Sequence, residues 1–345
     1  MNGMGDQGKW ILRQTSKRGG ISRCGKYQFY VNTLIPDPDF VVIRGKSLKE
    51  AMTFHVAPEN IVLTTSEPYS ILSYPKGYCK QFGLVCSCQE QLQHHNIIYT
   101  PALLPWYIGA KFDRGTGIPQ MDYDDFKHQK SPHKEKLISV ITSNKAFTQG
   151  HQDRITFVEK LKAYYGDRLD IYGKGFRDFD DKWDVLAPYK YHIAIENSQS
   201  NFYWTEKLSD CYLAGTYPIY CGCRNIHDYF PQEALLNIDI HDIDKSIAAI
   251  NRVINDEQHF ETAGPVLEAC KELVLEDYNI FNYIATCLDK LDPNLPRTNV
   301  TIQPAKTMAD WHNIYLNVIG RNSFKLKNAI RSLFKGESSL YDVKE

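Results

Sequence analysis

The sequence predicts an α/β protein of two doubly wound, parallel-sheet units facing a cleft, and three observations lead there. Apolar runs such as DFVVIRG (Asp39 to Gly45), NIVLTTSEP (Asn60 to Pro68) and FGLVCSC (Phe82 to Cys88) are continuous rather than alternating. Strands of that kind belong to sheets covered on both faces. Beyond residue 136, strand and helix patterns alternate at βαβ spacing. Between the two regions lies DRGTGIPQMDYDDFKHQKSPHKEK, polar and without strand or helix period, which reads as a linker.

In the second region KLISVITSN is a strand. HQDRITFVEKLKAYYG is a helix with Ile155, Phe157, Val158 and Leu161 as its apolar positions and Gly166 as its stop. RLDIYGKG is a strand entering a glycine turn, and YKYHIAIENS a strand ending in polar residues. TEKLSDCYLAG is a helix stopping at Gly215, and TYPIYCG a further strand. The expected organisation is an N-terminal α/β domain over 1–130, a C-terminal α/β domain over 131–300 and a helical tail over 301–345.

The 345 residues are 43% hydrophobic and 23% charged, ordinary for a globular protein. A net charge of -1 gives no overall attraction to nucleic acid, so an anion site must be local. Aromatics reach 12%, with 22 Tyr, which suits sugar or nucleotide contacts and equally suits an aromatic core. No apolar run approaches the roughly 20 residues of a membrane-spanning helix, and the first twenty residues lack a signal-peptide apolar region. Nine Cys without framework spacing point to reduced core thiols; the C-x-C pairs Cys86/Cys88 and Cys221/Cys223 do not have zinc-site spacing.

Ligands of open parallel sheets bind beyond the C-terminal strand ends. In the second region those ends carry Ser143-Asn144, Gly173-Lys174-Gly175, Glu196-Asn197-Ser198 and Gly222, a polar ring. Thr205 suits a helix N-cap and Glu206 agrees with the helix dipole. Lys207 opposes it. It is either an exposed lysine tolerated at small cost or half of an anion site shared with the free N–H groups. Arg154, near the start of its own helix, repeats the anomaly, with a fork suited to phosphate oxygens or to solvent. No Walker loop, complete GxGxxG, GxSxG or HExxH motif occurs. In the first region Glu67 follows a strand end and is either a general-base candidate or a turn-capping glutamate. Glu90 is a second candidate that reads more as a helix-start residue.

The segment YKYHIAIENSQSNFYWTEKLSDCYLAGTYPIYCG resembles the C-terminal motif of family 10 glycosyltransferases, the α-1,3/4-fucosyltransferases. It has their tyrosine-lysine-aromatic start, E-N segment, Y-x-T-E-K core and apolar strand ending in glycine. The likeness extends over about 136 to 259, and thinly over LTTSEP and FGLVCSCQEQL in the first region. It implies a GT-B architecture of two Rossmann-like domains and an inverting, metal-independent transfer from GDP-fucose, with no cofactor. By motif position Arg154 and Lys207 resemble the diphosphate ligands. Asn197, Tyr203 and Glu206 resemble contacts to the donor's nucleoside or sugar, and Glu67 the proposed base. Asn144, Gly173, Lys174 and Glu196 are further donor-cleft candidates. Trp204 departs from the pattern, where small or β-branched residues are common. The alternatives are a related transferase using another nucleotide sugar and an inactive nucleotide- or glycan-binding module.

The expected partners are GDP-fucose and an oligosaccharide or lipid-linked glycan acceptor, as in lipopolysaccharide assembly, with no nucleic acid. SFKLKNAIRSLFK places Leu326, Ile330, Leu333 and Phe334 on one helical face with Lys327, Arg331 and Lys335 beside it. It either packs on the protein or docks on an anionic membrane surface. The expected location is cytoplasmic, with peripheral contact to the inner membrane face.

Overall fold

The computed structural model describes residues 6–113, 116–143 and 149–308. After a 3-10 helix at Asp6–Gln14 come β1 (Val41–Arg44), β2 (Met52–Val56), β3 (Ile61–Thr64), a short α1 (Lys76–Cys79), β4 (Leu84–Ser87) and β5 (Ile97–Tyr99). A first, wholly parallel sheet has the order β1-β3-β4-β5. The continuous apolar runs have the reason expected: both faces are covered. Ile43, Leu63 and Val85 face a core with Tyr78 and Phe82, whereas Val42, Val62 and Leu84 face one with Ile11 and Phe29.

The stretch read as a linker is structured. A hairpin, β6 (Ala110–Asp113) and β7 (Thr116–Pro119), precedes α2 (Tyr123–His128). Asp122 caps α2 through its side chain, and Asp125 reaches back to the Asp122 N–H at 2.8 Å, a reciprocal capping pair. Gly117 lies so close to Trp10 that a Cβ there would sit 2.5 Å from the indole. Arg13, 1% exposed, donates to the carbonyls of Met121 (2.6 Å), Trp106 (2.9 Å) and Ile108 (2.8 Å). These contacts come from residues about a hundred positions away in sequence, so no local period announces the segment.

The second sheet comprises β8 (Lys136–Ile141), β9 (Leu169–Tyr172), β10 (Tyr189–Ile195), β11 (Tyr217–Cys221) and β12 (Leu236–Asn237). It alternates with α3 (Gln149–Tyr165), α4 (Lys182–Leu186) and α5 (Glu206–Leu213). All neighbours are parallel, in the order β12-β11-β10-β8-β9. Gly166 and Gly215 stop their helices at φ of 54° and 60°, a conformation that glycine adopts without strain. The chain leaves β8 towards one edge and returns through β10 towards the other, so the topological switch lies between β8 and β10.

After α6 (Ile243–Ile254) and α7 (His259–Glu276), the chain goes back to the first sheet. In α8 (Ile280–Leu288), Ile280, Phe281 and Ile284 pack with Val42 and Leu84. β13 (Thr298–Ile302) pairs antiparallel with β2. The expected division at residue 300 placed this return with the C-terminal domain; the packing places it with the first unit. A 3-10 turn at Ala305–Met308 follows, and the basic amphipathic segment around Leu326 to Lys335 lies outside the described residues. Among the described residues no helix is long and apolar enough to cross a membrane.

Candidate active site

The C-terminal ends of β8, β9 and β10 and the start of α5 enclose a cavity of about 360 Å³ at the switch point. That volume falls within the range of small-molecule sites. Its charged lining includes Arg154, Lys174, Lys182, Glu206 and Lys207.

Thr205 is the N-cap of α5, accepting from the Lys207 N–H at 3.3 Å. Its own N–H and hydroxyl donate to Glu196 at 2.8 and 2.9 Å, and the Lys207 ammonium lies 2.9 Å from the other Glu196 oxygen. The Glu196 side chain is 0% exposed and that of Lys207 24%. The cation that opposes the helix dipole therefore has a buried counter-charge beneath it and an open flank above. Burial works against the Lys207 charge, but Glu196 and Glu206 prevail and hold its pKa above the usual lysine value. Burial likewise works against Glu206, and Lys207 with Lys182 keeps it below the usual glutamate value. Gly222 makes room for this cluster: a Cβ there would meet Glu196 Cγ at 2.4 Å.

The start of α3 approaches the same loop. Gly150 is required by proximity, since a Cβ would lie 2.8 Å from the Asn197 carbonyl. Arg154 donates from Nη1 to Asn197 Oδ1 at 2.8 Å, while its buried Nε has no partner among the described residues. Burial lowers the Arg154 pKa. Gly173, at φ 116°, passes Thr142 so closely that a Cβ would be 1.9 Å from its carbonyl oxygen.

Lys182, Asp210 and His192 are among the lining residues that escaped the sequence reading. Lys182 lies 2.7 Å from Asp210, 3.6 Å from Glu206 and over the Tyr107 ring. Asp210 also accepts the N–H groups of Tyr107 and Ile108, anchoring the first unit's exit segment to α5. His192 stands buried in the wall. Lys182 sits in a five-residue helix too short for a periodic signal, and Asp210 and His192 occupy positions that read as helix and strand interior.

Of the candidates, the structure brings together Arg154, Glu196, Asn197, Glu206 and Lys207, with Gly173 and Lys174 on the cavity wall. The Tyr203 side chain does not line the cavity: at 1% exposed, it packs with Cys88 and Ala102 of the first unit, within electrostatic reach of Glu196, Glu206 and Arg154. Trp204 fills an aromatic cluster with Tyr229, Phe230 and Tyr278, which accounts for a large residue at that position. Asn144 lies outside the described residues. Glu67 stands half-buried just beyond β3, on the cleft end of the first sheet, and its charge helps raise the pKa of Tyr203 across the junction, behind burial and Glu196. Glu90 is engaged by Asn201 Nδ2 at 2.8 Å, and next to it Tyr99 stacks on Phe202 at 5.1 Å. The loop 197–204 thus seats directly on the first unit. Among the described residues no group of His, Cys, Asp or Glu side chains is arranged to hold a metal ion.

Residues 131–262 match the family described as glycosyltransferase family 10 (fucosyltransferase) C-term. GDP-fucose protein O-fucosyltransferase 3 of Xenopus laevis is 23% identical over 248 residues, 64% of this chain and 49% of the relative. Alpha-(1,3)-fucosyltransferase 4 of Bos taurus is 32% identical over 123 residues, 34% of this chain and 30% of the relative. The chain spans about half the length of the first of these relatives and less of the second. A solved alpha1,3-fucosyltransferase with GDP aligns over 77% of this chain and 83% of its own, at 18% identity and a TM-score of 0.48. Residues 131–262, over which the chain is similar to the C-terminal domain of glycosyltransferase family 10, contain the second parallel sheet and its switch point.

Proposed function

We propose that the chain transfers fucose from GDP-fucose to a hydroxyl of an acceptor glycan, through an α-1,3 or α-1,4 linkage and with inversion. The observation that carries this reading is the group of Lys207, Arg154 and the α5 N-terminus around one cavity beyond the strand ends. Donors and cations so placed favour a diphosphate. The names of the relatives point to fucosyl transfer and to GDP-fucose.

In this reaction Glu67 removes the proton of the acceptor hydroxyl as its oxygen attacks the anomeric carbon of fucose. The bond from that carbon to the β-phosphate oxygen breaks, and GDP leaves with the electron pair. Lys207 and Arg154 receive the growing charge, usually the largest electrostatic contribution to such a step. Glu206 and Asn197 hold the donor's nucleoside or sugar. No metal or cofactor takes part. The acceptor is an oligosaccharide or a lipid-linked glycan, and the segment around Leu326 to Lys335 docks on an anionic membrane surface.

A thermal-shift panel of GDP, GDP-fucose, GDP-mannose, UDP and UDP-sugars tests the donor. A ligand at about 100 times its dissociation constant stabilises the native state by about 2.7 kcal/mol. The expected order puts GDP and GDP-fucose above the uridine compounds. A preference for UDP overturns the reading.

A further inference from the structure

The cavity has polar lining beyond Lys207 and Arg154. Ile141, Leu186 and Phe179 contribute apolar wall, and His192 and Lys182 line the same cavity. His192 is 4% exposed and makes one hydrogen bond, at 2.8 Å, between its Nδ1 and the hydroxyl of Ser139. That hydroxyl also lies 3.3 Å from the Val185 carbonyl, to which only it can donate. Both contacts are made only when Ser139 gives its proton to Val185 and receives one from Nδ1–H. The remaining ring nitrogen, Nε2, then carries a lone pair. It has no hydrogen-bond partner among the described residues, in a ring that lines the cavity.

The neighbouring Lys182 is a donor. Its ammonium is held by Asp210 at 2.7 Å, which leaves further N–H groups for a ligand. Burial and the adjacent Lys182 charge lower the His192 pKa to about 3, so the ring stays neutral at ordinary pH. An acceptor and a donor, near enough for the Lys182 charge to act on the ring, thus line one cavity.

We propose that His192 and Lys182 read the lactam edge of the donor's base, the ring N–H accepted by His192 Nε2 and the adjacent carbonyl receiving a hydrogen bond from Lys182. This rests on the nucleotide-sugar reading of the cavity and adds the residues that select the base. Guanine and hypoxanthine present that edge. Adenine presents its reverse, a ring lone pair beside an amino group, and would set acceptor against acceptor and donor against donor. Uracil carries a lactam edge too, so these two residues separate guanine from adenine and not guanine from uracil.

Calorimetric titration of the full chain with GDP, IDP, 1-methyl-GDP and ADP tests this without altering the protein. GDP and IDP should bind within about 5-fold of one another, because the 2-amino group is not read. 1-Methyl-GDP and ADP should bind at least about 10-fold more weakly, since a site built for an N–H leaves its partner unpaired without it. In His192→Phe, which keeps a ring but no lone pair, GDP and 1-methyl-GDP should bind alike. Equal binding of GDP and 1-methyl-GDP by the unaltered chain overturns the base reading and leaves the diphosphate site standing. Failure of every nucleotide to bind the folded chain overturns both.

Discussion

Replacing Glu196 by Gln removes one charge from the centre of the candidate site and changes little else in shape. Glu196 accepts from the Thr205 N–H, the Thr205 hydroxyl and the Lys207 ammonium at 2.8 to 2.9 Å. An amide can keep its oxygen on Thr205, but its NH₂ then faces the ammonium, donor against donor. Breaking a buried ion pair on one side costs about 3–5 kcal/mol, and a single hydrogen bond to a charged group is worth about 1.5–3 kcal/mol. Lys207 is 24% exposed and keeps Glu206 at 3.9 Å, so the loss falls near the lower figure, about 2–3 kcal/mol. Equilibrium urea unfolding measures it. GDP should restore part of the difference, because an ammonium without Glu196 is free to pair with phosphate alone. A loss under about 0.5 kcal/mol would refute the buried counter-charge argument.

Lys207→Met should weaken GDP binding by about 10-fold or more, as expected for loss of a charge-assisted contact worth about 1.5–3 kcal/mol, read by titration. Glu67→Gln should reduce transfer by about 10²-fold or more with GDP affinity near that of the unaltered chain; undiminished turnover removes Glu67 as the base. Gly222→Ala should lower the urea midpoint by an amount corresponding to about 1–3 kcal/mol, because the new methyl meets Glu196 Cγ and the Tyr220 hydroxyl at 2.4 and 2.5 Å. His192 gives a pH dependence. The folded ring stays neutral down to about 3, whereas an unfolded histidine takes up its proton near 6.5. Between those values the unfolded chain binds more protons, so acidification below about 6.5 costs stability at up to ~1.4 kcal/mol per unit, with no effect of this group above it. In His192→Phe that component should vanish, so the two urea midpoints converge as pH falls; parallel profiles would contradict it.

The elements that build the donor side were legible because their signals are local. Thr205 before a helical run, Gly215 after it, and apolar strands ending in polar residues each need only a few neighbouring positions to be read. Lys207 was visible as an anomaly, since a cation at a helix start breaks a local rule. Glu196 was visible as part of the polar ring, but its pairing with Lys207 was not, because it joins the end of β10 to α5 across a ten-residue connection. Lys182 and His192 gave no signal for a related reason: their roles come from Asp210, Ser139 and Val185, brought together by the sheet order. The segment from Asp113 to Lys136 misled because a short hairpin and a six-residue helix are too brief for a period. Its one available cue was the pair Asp122 and Asp125. The return of α8 to the first sheet depends on long-range packing, which hydrophobic pattern alone does not assign to one core or the other.

That return sets a schedule during synthesis. β1 to β5 leave the ribosome early, but one face of their sheet is covered by Phe281, Ile284 and Leu288, and β2 lacks its partner until β13. Those residues emerge roughly 180 positions after β5, which at about 5–20 residues per second is a wait of roughly 10–40 seconds. Through that interval the second unit can fold while part of one apolar face of the first, the part that α8 covers, stays open. A chain interrupted before residue 280 would hold a complete second sheet and an unfinished first one, exposed to chaperones and proteases.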